Sequence, residues 1–154
     1  MMQETSERAV EKAVTVNVPV ERAFEVFTAE IGTWWPLRTH AVDTEHSETV
    51  VMEARVGGRL FERTLSGEEH VWGTIAAWEP PNRVVYSWHP GRGEETAQEV
   101  EVTFKAEGDG TRVRIRHYGW ETLGDRLDET VASYDEGWNL VIRRYLEAAN
   151  RERS

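Results

Sequence analysis

Hydrophobic residues near the C-terminus recur every three to four positions, the spacing of one face of an α-helix. Within residues 130–152 this face carries Val131, Tyr134, Trp138, Val141, Ile142, Tyr145 and Ala149. Polar residues occupy the opposite face, from Asn139 to Asn150. The pattern predicts one amphipathic helix, roughly 35 Å long if residues 130–152 are all helical. Its aromatic stripe needs a broad surface to cover it.

The N-terminal part of the chain shows a strand-like alternation followed by helical spacing of its apolar residues. Residues 10–18 alternate valine with polar residues, which predicts a strand with one buried face. Pro19 can open a helix, and apolar residues at helical spacing predict a short amphipathic helix over residues 19–31 that ends at Gly32.

The middle of the chain reads as a series of strands separated by turn residues. The predicted strands are residues 48–55, 57–65, 70–78, 82–89, 97–106 and 111–120. The connections are too short to hold crossover helices, so we expect the strands to pair as an antiparallel meander. The element order is therefore strand, helix, six strands and a long helix.

The last two strands allow a register to be predicted. If Phe104 lies opposite Val113, then Val100 lies opposite His117 on the inner face. The alternate positions carry glutamates on one strand and arginines on the other, which indicates a solvated outer face with cross-strand ion pairs. In strands 57–65 and 70–78 the pattern leaves the inner face open, since apolar residues occur on both sides.

Composition limits the partners. Hydrophobic residues at 39% and charged residues at 30% are typical of a globular chain, and we expect one domain over residues 10–152 after a flexible segment, residues 1–9. With 28 acidic against 18 basic residues the net charge is −10, which argues against nucleic acid or an anionic membrane as a partner. No membrane-spanning run or signal-peptide core occurs, so we expect a cytoplasmic protein without membrane insertion.

No cofactor or metal motif is present, and the sequence predicts neither group. The chain has no cysteine, no dinucleotide or phosphate loop and no paired histidine spacing. His40 and His46 share a loop with Asp43 and Glu45, a set that could clasp a cation, although a solvated loop is the favoured interpretation.

Two titratable residues are candidates for acid–base chemistry. His117 falls on the inner face, where it could be a general base, a polar handle for a ligand or a buried histidine with satisfied hydrogen bonds. Arg59 and Arg63 flank Phe61 and face away from Glu62, so either Glu62 or the arginines turn inward unless both strand faces stay wet. A carboxylate in a cavity would have a raised pKa suited to proton transfer.

Aromatic residues are the clearest excess, with seven tryptophans in 154 residues. Trp34 and Trp35 are adjacent, so we expect one to pack inside and the other to face a cleft or solvent. The predicted ligand-binding residues are Trp34, Trp35, Trp72, Trp88, His117, Tyr134, Trp138, Val141 and Tyr145. Packing of these side chains in a hydrophobic core without a ligand is the alternative interpretation of the same residues. Gly137 beside Trp138 is expected to let the final helix approach the sheet closely.

Several strings carry a family resemblance. FTAEIGTWWPLRTHAV, RVGGRLFERTLSGEEHVWGTIAAWEPPNRVVYSWHPG and YDEGWNLVIRRYLEAA resemble bacterial SRPBCC proteins of the heat-shock-protein ATPase activator homology family. The resemblance runs from about residue 10 to residue 150. It implies an α+β, START-like helix-grip fold, in which a curved seven-stranded antiparallel sheet wraps around the C-terminal helix.

The resemblance also implies a range of functions. Relatives on this fold bind hydrophobic molecules between sheet and helix, so we expect a hydrophobic, aromatic or lipid-like small molecule as the partner. The alternative is a cavity-based cyclase or hydrolase that uses His117 and Glu62 for acid–base catalysis. A co-chaperone-like role with a protein partner comes last, because no exposed apolar patch can be read from the pattern.

Overall fold

The computed structural model describes residues 9–91, 93–120 and 127–151. The predicted flexible segment, residues 1–9, lies outside the described residues apart from Ala9. The strands are β1 (Val10–Val16), β2 (Ser47–Met52), β3 (Arg59–Thr64), β4 (Glu69–Glu79), β5 (Arg83–Trp88), β6 (Gln98–Glu107) and β7 (Gly110–Tyr118). The α-helices of the described residues are α1 (Val20–Phe27) and α2 (Leu127–Asn150).

The strands form a single antiparallel sheet in the order β1-β7-β6-β5-β4-β3-β2. The sheet curls around α2, whose buried face packs on the inner side of the sheet. Tyr145 of α2 also donates a hydrogen bond to the carbonyl oxygen of Ala23 in α1, at 2.9 Å. This architecture confirms the predicted helix-grip fold. Among the described residues, no helix combines the length and apolarity needed to cross a membrane.

The register predicted for β6 and β7 is confirmed. Phe104 pairs with Val113 and Val100 pairs with His117, and all four side chains are buried. The other face carries opposite charges, as in the pairing of Glu101 with Arg116. Simple alternation was enough here because neither strand contains a bulge.

Strands β3 and β4 show why the inner face could not be read from the pattern. The inner face of β3 carries Leu60 and Glu62, while Phe61 lies on the outer face with the guanidinium of Arg59 4.3 Å from its ring centre. The register shifts on both sides of β4, so that Trp72 and Ile75, three residues apart, both enter the core. Bulges break the two-residue period on which sequence reasoning depends.

The two helices differ from the prediction at their ends. Helix α1 stops at Phe27 rather than at residue 31, because the next amides leave the helical hydrogen-bond pattern: the Ile31 N–H donates to the carbonyl oxygen of Thr28, and a separate 3₁₀ turn covers Ile31–Thr33. That turn keeps Ile31 buried, and the apolar spacing therefore resembled a longer helix. Helix α2 begins at Leu127, three residues before the predicted start. Residues 121–126 of the predicted preceding loop lie outside the described residues.

Candidate functional site

A pocket of about 390 Å³ lies between α2, the β4–β5 part of the sheet and the loop after Trp34. We call it the aromatic pocket. Its lining residues are Trp35, Thr39, His40, Ala41, Val42, Trp72, Trp88, Pro90, Gly91, Tyr134, Gly137, Trp138 and Val141. The pocket is therefore assembled from four separate parts of the chain.

Four indoles dominate the wall of the aromatic pocket. The ring centre of Trp35 lies 5.1 Å from that of Trp72 and 5.9 Å from that of Trp88. Trp138 of α2 completes the group, 6.5 Å from Trp88 and 6.4 Å from Trp35. Tilted and edge-to-face contacts at these distances are favourable for aromatic rings. The four indole rings therefore fix one another's orientation.

The adjacent tryptophans Trp34 and Trp35 have different surroundings, as expected, but both are buried. Trp34 packs against Phe27 and Tyr145, with ring centres 5.4 Å apart in each case. Trp35 lines the aromatic pocket, and its Nε1 donates to the carbonyl oxygen of His40 at 2.6 Å. Both rings are nevertheless buried in the same core, because Trp34 and Trp35 lie in an irregular turn directly after a 3₁₀ turn and not in a strand that would alternate its side chains.

Glu62 fixes this loop from the inside of the sheet. The side chain is fully buried. Oε1 accepts hydrogen bonds from Trp72 Nε1 and from the backbone N–H of Val42, both at 2.7 Å. Oε2 accepts from the backbone N–H of Asp43 at 2.9 Å and from the Ser47 hydroxyl at 2.5 Å. One carboxylate therefore attaches the loop to β3 and orients a pocket tryptophan.

The raised pKa expected for a buried glutamate is wrong for Glu62. Burial by itself would raise its pKa, but the hydrogen bonds from Ser47, Asp43, Val42 and Trp72 outweigh it and hold the pKa below its ordinary value. Glu62 does not line the aromatic pocket. Its environment suits an anchor that is ionised near neutral pH better than a proton donor, and the catalytic role considered for it stays a prediction.

His117 is buried behind the pocket wall and does not line the pocket. Trp138 Nε1 donates to His117 Nδ1 at 3.0 Å, so the proton of a neutral imidazole is on Nε2, which lies 3.3 Å from Gln98 Oε1. The Trp120 ring stacks on the imidazole at 4.3 Å. These contacts orient Trp138, and catalysis by His117 stays a prediction.

The structure brings six of the nine predicted ligand-binding residues to the pocket. They are Trp35, Trp72, Trp88, Tyr134, Trp138 and Val141. Trp34, His117 and Tyr145 do not line it. Sequence reasoning missed the segment from Thr39 to Val42 and the turn at Pro90 and Gly91. The only signal for that segment was the aperiodic stretch after Pro36, which marks a long loop without saying what it covers.

Gly137 has a different neighbour from the one expected. A Cβ atom at this position would lie 3.5 Å from His40 Nε2, so its nearest side chain belongs to the loop and not to the sheet. The absence of a side chain keeps this part of the aromatic pocket open between α2 and His40.

The aromatic pocket is electrically neutral. No aspartate, glutamate, lysine or arginine is among the described residues that line it. Burial holds the pKa of His40 below its ordinary value, so its imidazole is uncharged near pH 7. The polar groups available to a ligand are the hydroxyls of Thr39 and Tyr134 and the imidazole of His40.

One group of described residues has metal-like spacing. Asp43, Glu68 and His70 place three possible ligand atoms within 4.8 Å of one another. This set shares only Asp43 with the loop residues considered from the sequence, and the Asp43 carboxylate already lies 3.0 Å from His46 Nδ1. Surface carboxylates commonly gather in this way without binding an ion, and we assign no metal here.

A curled antiparallel sheet that closes on a long C-terminal helix around an internal pocket defines the START-like, helix-grip class of proteins. Within that class the chain belongs to the family of Activator of Hsp90 ATPase homolog 1-like proteins, whose family model matches residues 17–149. This confirms the family suggested by the sequence. No curated protein matches the chain significantly.

Solved structures with the same fold include two with substantial sequence identity. The anthrahydroquino-γ-pyrone synthase Txn09 is 30% identical, with 90% of this chain and 95% of that chain covered and a TM-score of 0.60. CalC from Micromonospora echinospora, a self-sacrificing resistance protein, is 26% identical, with 94% and 95% covered and a TM-score of 0.66. The Aha1 protein of Colwellia psychrerythraea, solved as a dimer, is 15% identical, with 92% and 96% covered and a TM-score of 0.66.

Proposed function

We propose that the protein binds a flat, hydrophobic aromatic small molecule in the aromatic pocket. The observation that carries the proposal is the ring of indoles from Trp35, Trp72, Trp88 and Trp138 around a space of about 390 Å³. Ligand pockets of proteins typically measure about 300–1,000 Å³ and combine apolar walls with a few polar groups. The aromatic pocket meets both conditions.

The shape of the walls favours an aromatic ligand over a flexible lipid chain. Indole faces and edges attract other rings, whereas an alkyl chain gains only general apolar contact. His40 and Tyr134 stand where a ligand carbonyl or hydroxyl could receive or donate a hydrogen bond.

Relatives support the same class of ligand. Txn09 is named as an anthrahydroquino-γ-pyrone synthase, which makes small-molecule chemistry a property of a protein 30% identical to this one. The similarity to the Aha1 dimer, at 15% identity, shows the fold alone. A protein partner of the co-chaperone kind therefore stays a prediction from the sequence.

The test uses N-phenyl-1-naphthylamine, an uncharged aromatic probe whose emission increases in apolar surroundings. Titration should quench tryptophan emission and raise probe emission, with a single saturating phase. Ala41→Trp places an indole in the pocket and should weaken binding by about tenfold or more, a change of about 1.4 kcal/mol. Ala132→Trp adds the same group to an exposed position of α2 and should leave binding unchanged.

Absence of saturable binding to the wild-type protein would overturn the proposal. Equal affinities of the wild type and both variants would show that the probe binds elsewhere, and would also overturn it. Circular dichroism and melting temperature establish that both variants are folded before the affinities are compared.

A second candidate is cyclisation or hydrolysis of the bound molecule, and the 30% identity to a synthase is the observation that favours it. In that case the histidine in contact with the ligand would be His40, since neither His117 nor Glu62 lines the aromatic pocket. Comparing product formation by the wild type and by His40→Gln, with probe affinity measured on both, separates catalysis from binding.

A further inference from the structure

A second pocket, of about 340 Å³, lies beside the aromatic pocket. Trp35 and Thr39 line both pockets, while Arg38 of the loop and Leu140 and Arg144 of α2 line only the second. We call it the arginine pocket. The two spaces therefore share a wall and are bounded by the same loop and the same helix.

The two pockets lie side by side along α2. Along α2, Gly137 and Val141 line the aromatic pocket and Leu140 and Arg144 line the arginine pocket. Val141 and Arg144 are separated by three residues, a rise of about 4.5 Å along a helix. A substituent of a few atoms on an aromatic ring system covers such a distance.

The arginines of this pocket are not neutralised by carboxylates. Arg38 Nη1 donates to the carbonyl oxygen of Glu45 at 3.1 Å, and Nη2 donates to the carbonyl oxygen of Ser47. These bonds hold the guanidinium in place without cancelling its charge. Arg144 is exposed on α2. Neither arginine takes part in an ion pair with any residue that the structure describes.

Acidic residues outnumber basic ones by 28 to 18, so the chain has more carboxylates than cations to pair with them. Other arginines have found such partners, as Arg59 with Glu53 at 2.9 Å and Arg83 with Glu101 at 2.7 Å. Two uncompensated guanidinium groups on one pocket, in a protein of net charge −10, form a local site for a negative charge.

We propose that the arginine pocket is an anion subsite, and that the ligand is an aromatic molecule bearing one acidic group, a carboxylate or sulfonate. The ring system occupies the aromatic pocket and the acidic group lies between Arg38 and Arg144. This inference rests on the proposed function, since the ring system must bind for its substituent to be placed. Guanidinium groups suit the role because they present several donors to a planar or tetrahedral oxyanion.

A matched pair of probes tests the subsite. 8-Anilino-1-naphthalenesulfonate carries the same two ring systems as N-phenyl-1-naphthylamine, with a sulfonate added. Arg144→Gln should lower the affinity for the sulfonate probe by about five- to tenfold, the effect of losing one charge-assisted hydrogen bond. It should leave the affinity for the uncharged probe unchanged. Arg143→Gln removes the same charge from the neighbouring position, which lines neither pocket, and should change neither affinity.

Each outcome decides between the proposals. If Arg144→Gln and Arg143→Gln weaken the sulfonate probe equally, the effect is one of overall charge and the subsite is overturned. If the uncharged probe binds and Arg144→Gln has no effect on the sulfonate probe, the subsite fails while the proposed function stands. If neither probe binds the wild type, both proposals fail.

Ionic strength gives a second measurement. The affinity for the sulfonate probe should fall as salt rises from about 0.05 to 0.5 M, since the arginine pocket is open to solvent and its charges are screened. In Arg144→Gln this salt dependence should be smaller, and the uncharged probe should show none. A salt dependence that is the same in wild type and variant would contradict the subsite.

Discussion

The inner side of the sheet has two ends that contain similar side chains and have different structures. At one end the rings of Phe24, Phe27, Trp34, Phe104 and Tyr145 pack against one another, with centres 5.1 to 6.0 Å apart. We call this the packed end. At the other end the four indoles of the aromatic pocket surround a space of about 390 Å³.

The two ends differ in the segment that lies between the sheet and α2. Helix α1 inserts Phe24 and Phe27 at the packed end, and the Tyr145 hydroxyl fixes α2 to the carbonyl of Ala23. At the pocket end no helix of the described residues lies between the sheet and α2, and the loop after Trp34 covers the space instead. Aromatic residues alone therefore do not predict a pocket, and the covering element decides between core and cavity.

The largest effect should come from emptying the packed end. Phe27→Ala removes a fully buried ring that touches Trp34, Phe104 and Tyr145, and it should lower the free energy of unfolding by about 3–5 kcal/mol. Denaturant unfolding measures the change. Val42→Ala, at a pocket residue that is 40% exposed, should cost less than about 1 kcal/mol. Similar losses at the two positions would contradict the distinction between the ends.

A smaller effect should follow from releasing the loop that covers the pocket. All four partners of Glu62 donate hydrogen bonds, so the amide of Glu62→Gln must direct its NH₂ group at two of them. We expect a loss of about 2–3 kcal/mol, together with faster hydrogen exchange at the amides of Val42 and Asp43. Glu48→Gln, at an exposed position of β2, is the control and should change neither quantity.

The same anchor predicts a pH dependence with a definite sign. The pKa of Glu62 is below the ordinary value of 4.5 in the folded protein, so the folded state binds the proton less readily than the unfolded chain does. The resulting stabilisation is present above pH 4.5 and is lost as the pH falls through the pKa of the folded state. Melting temperatures measured against pH should fall more steeply in acid for the wild type than for Glu62→Gln. Parallel curves would show that Glu62 does not contribute.

The smallest expected effect is that of Gly137→Ala, which should change protein stability and probe affinity in opposite directions. Gly137→Ala replaces a poor helix former within α2 and should raise the free energy of unfolding by about 0.5–1 kcal/mol. The new methyl group would project beside His40 into the aromatic pocket, so the affinity for N-phenyl-1-naphthylamine should fall. Thermal melting and probe titration on the same preparation measure both. A gain in stability with unchanged affinity would show that Gly137 does not shape the binding space.

The sequence allowed the fold to be predicted where periodicity was unbroken. The register of Val100 with His117 and the amphipathic face of α2 followed from residue spacing alone. The inner face of β4 did not, because two bulges shift the alternation around Trp72 and Ile75. Local irregularities of this kind depend on pairing with neighbouring strands and leave no fixed pattern in one sequence.

The site was predictable for its aromatic residues and not for the small and polar residues of the loop that covers it. Trp138 was expected at the pocket because the helix period gave it a face, whereas Trp72 and Trp88 were expected there only as part of the aromatic excess. His40 and Val42 were not, since the direction of a loop side chain depends on where the loop is attached. That attachment is made by Glu62, twenty residues further along the chain than Val42, and local reasoning could not pair the two.

The way Glu62 holds the loop also affects how this pocket could change over time. Two of its four donors are backbone amides, those of Val42 and Asp43, which every residue except proline provides. The side chains at residues 39–42 can therefore be exchanged while the loop stays attached at the same points. Recognition of a new molecule could then be selected, in nature or from a library randomised at these four positions, without rebuilding the scaffold that supports it.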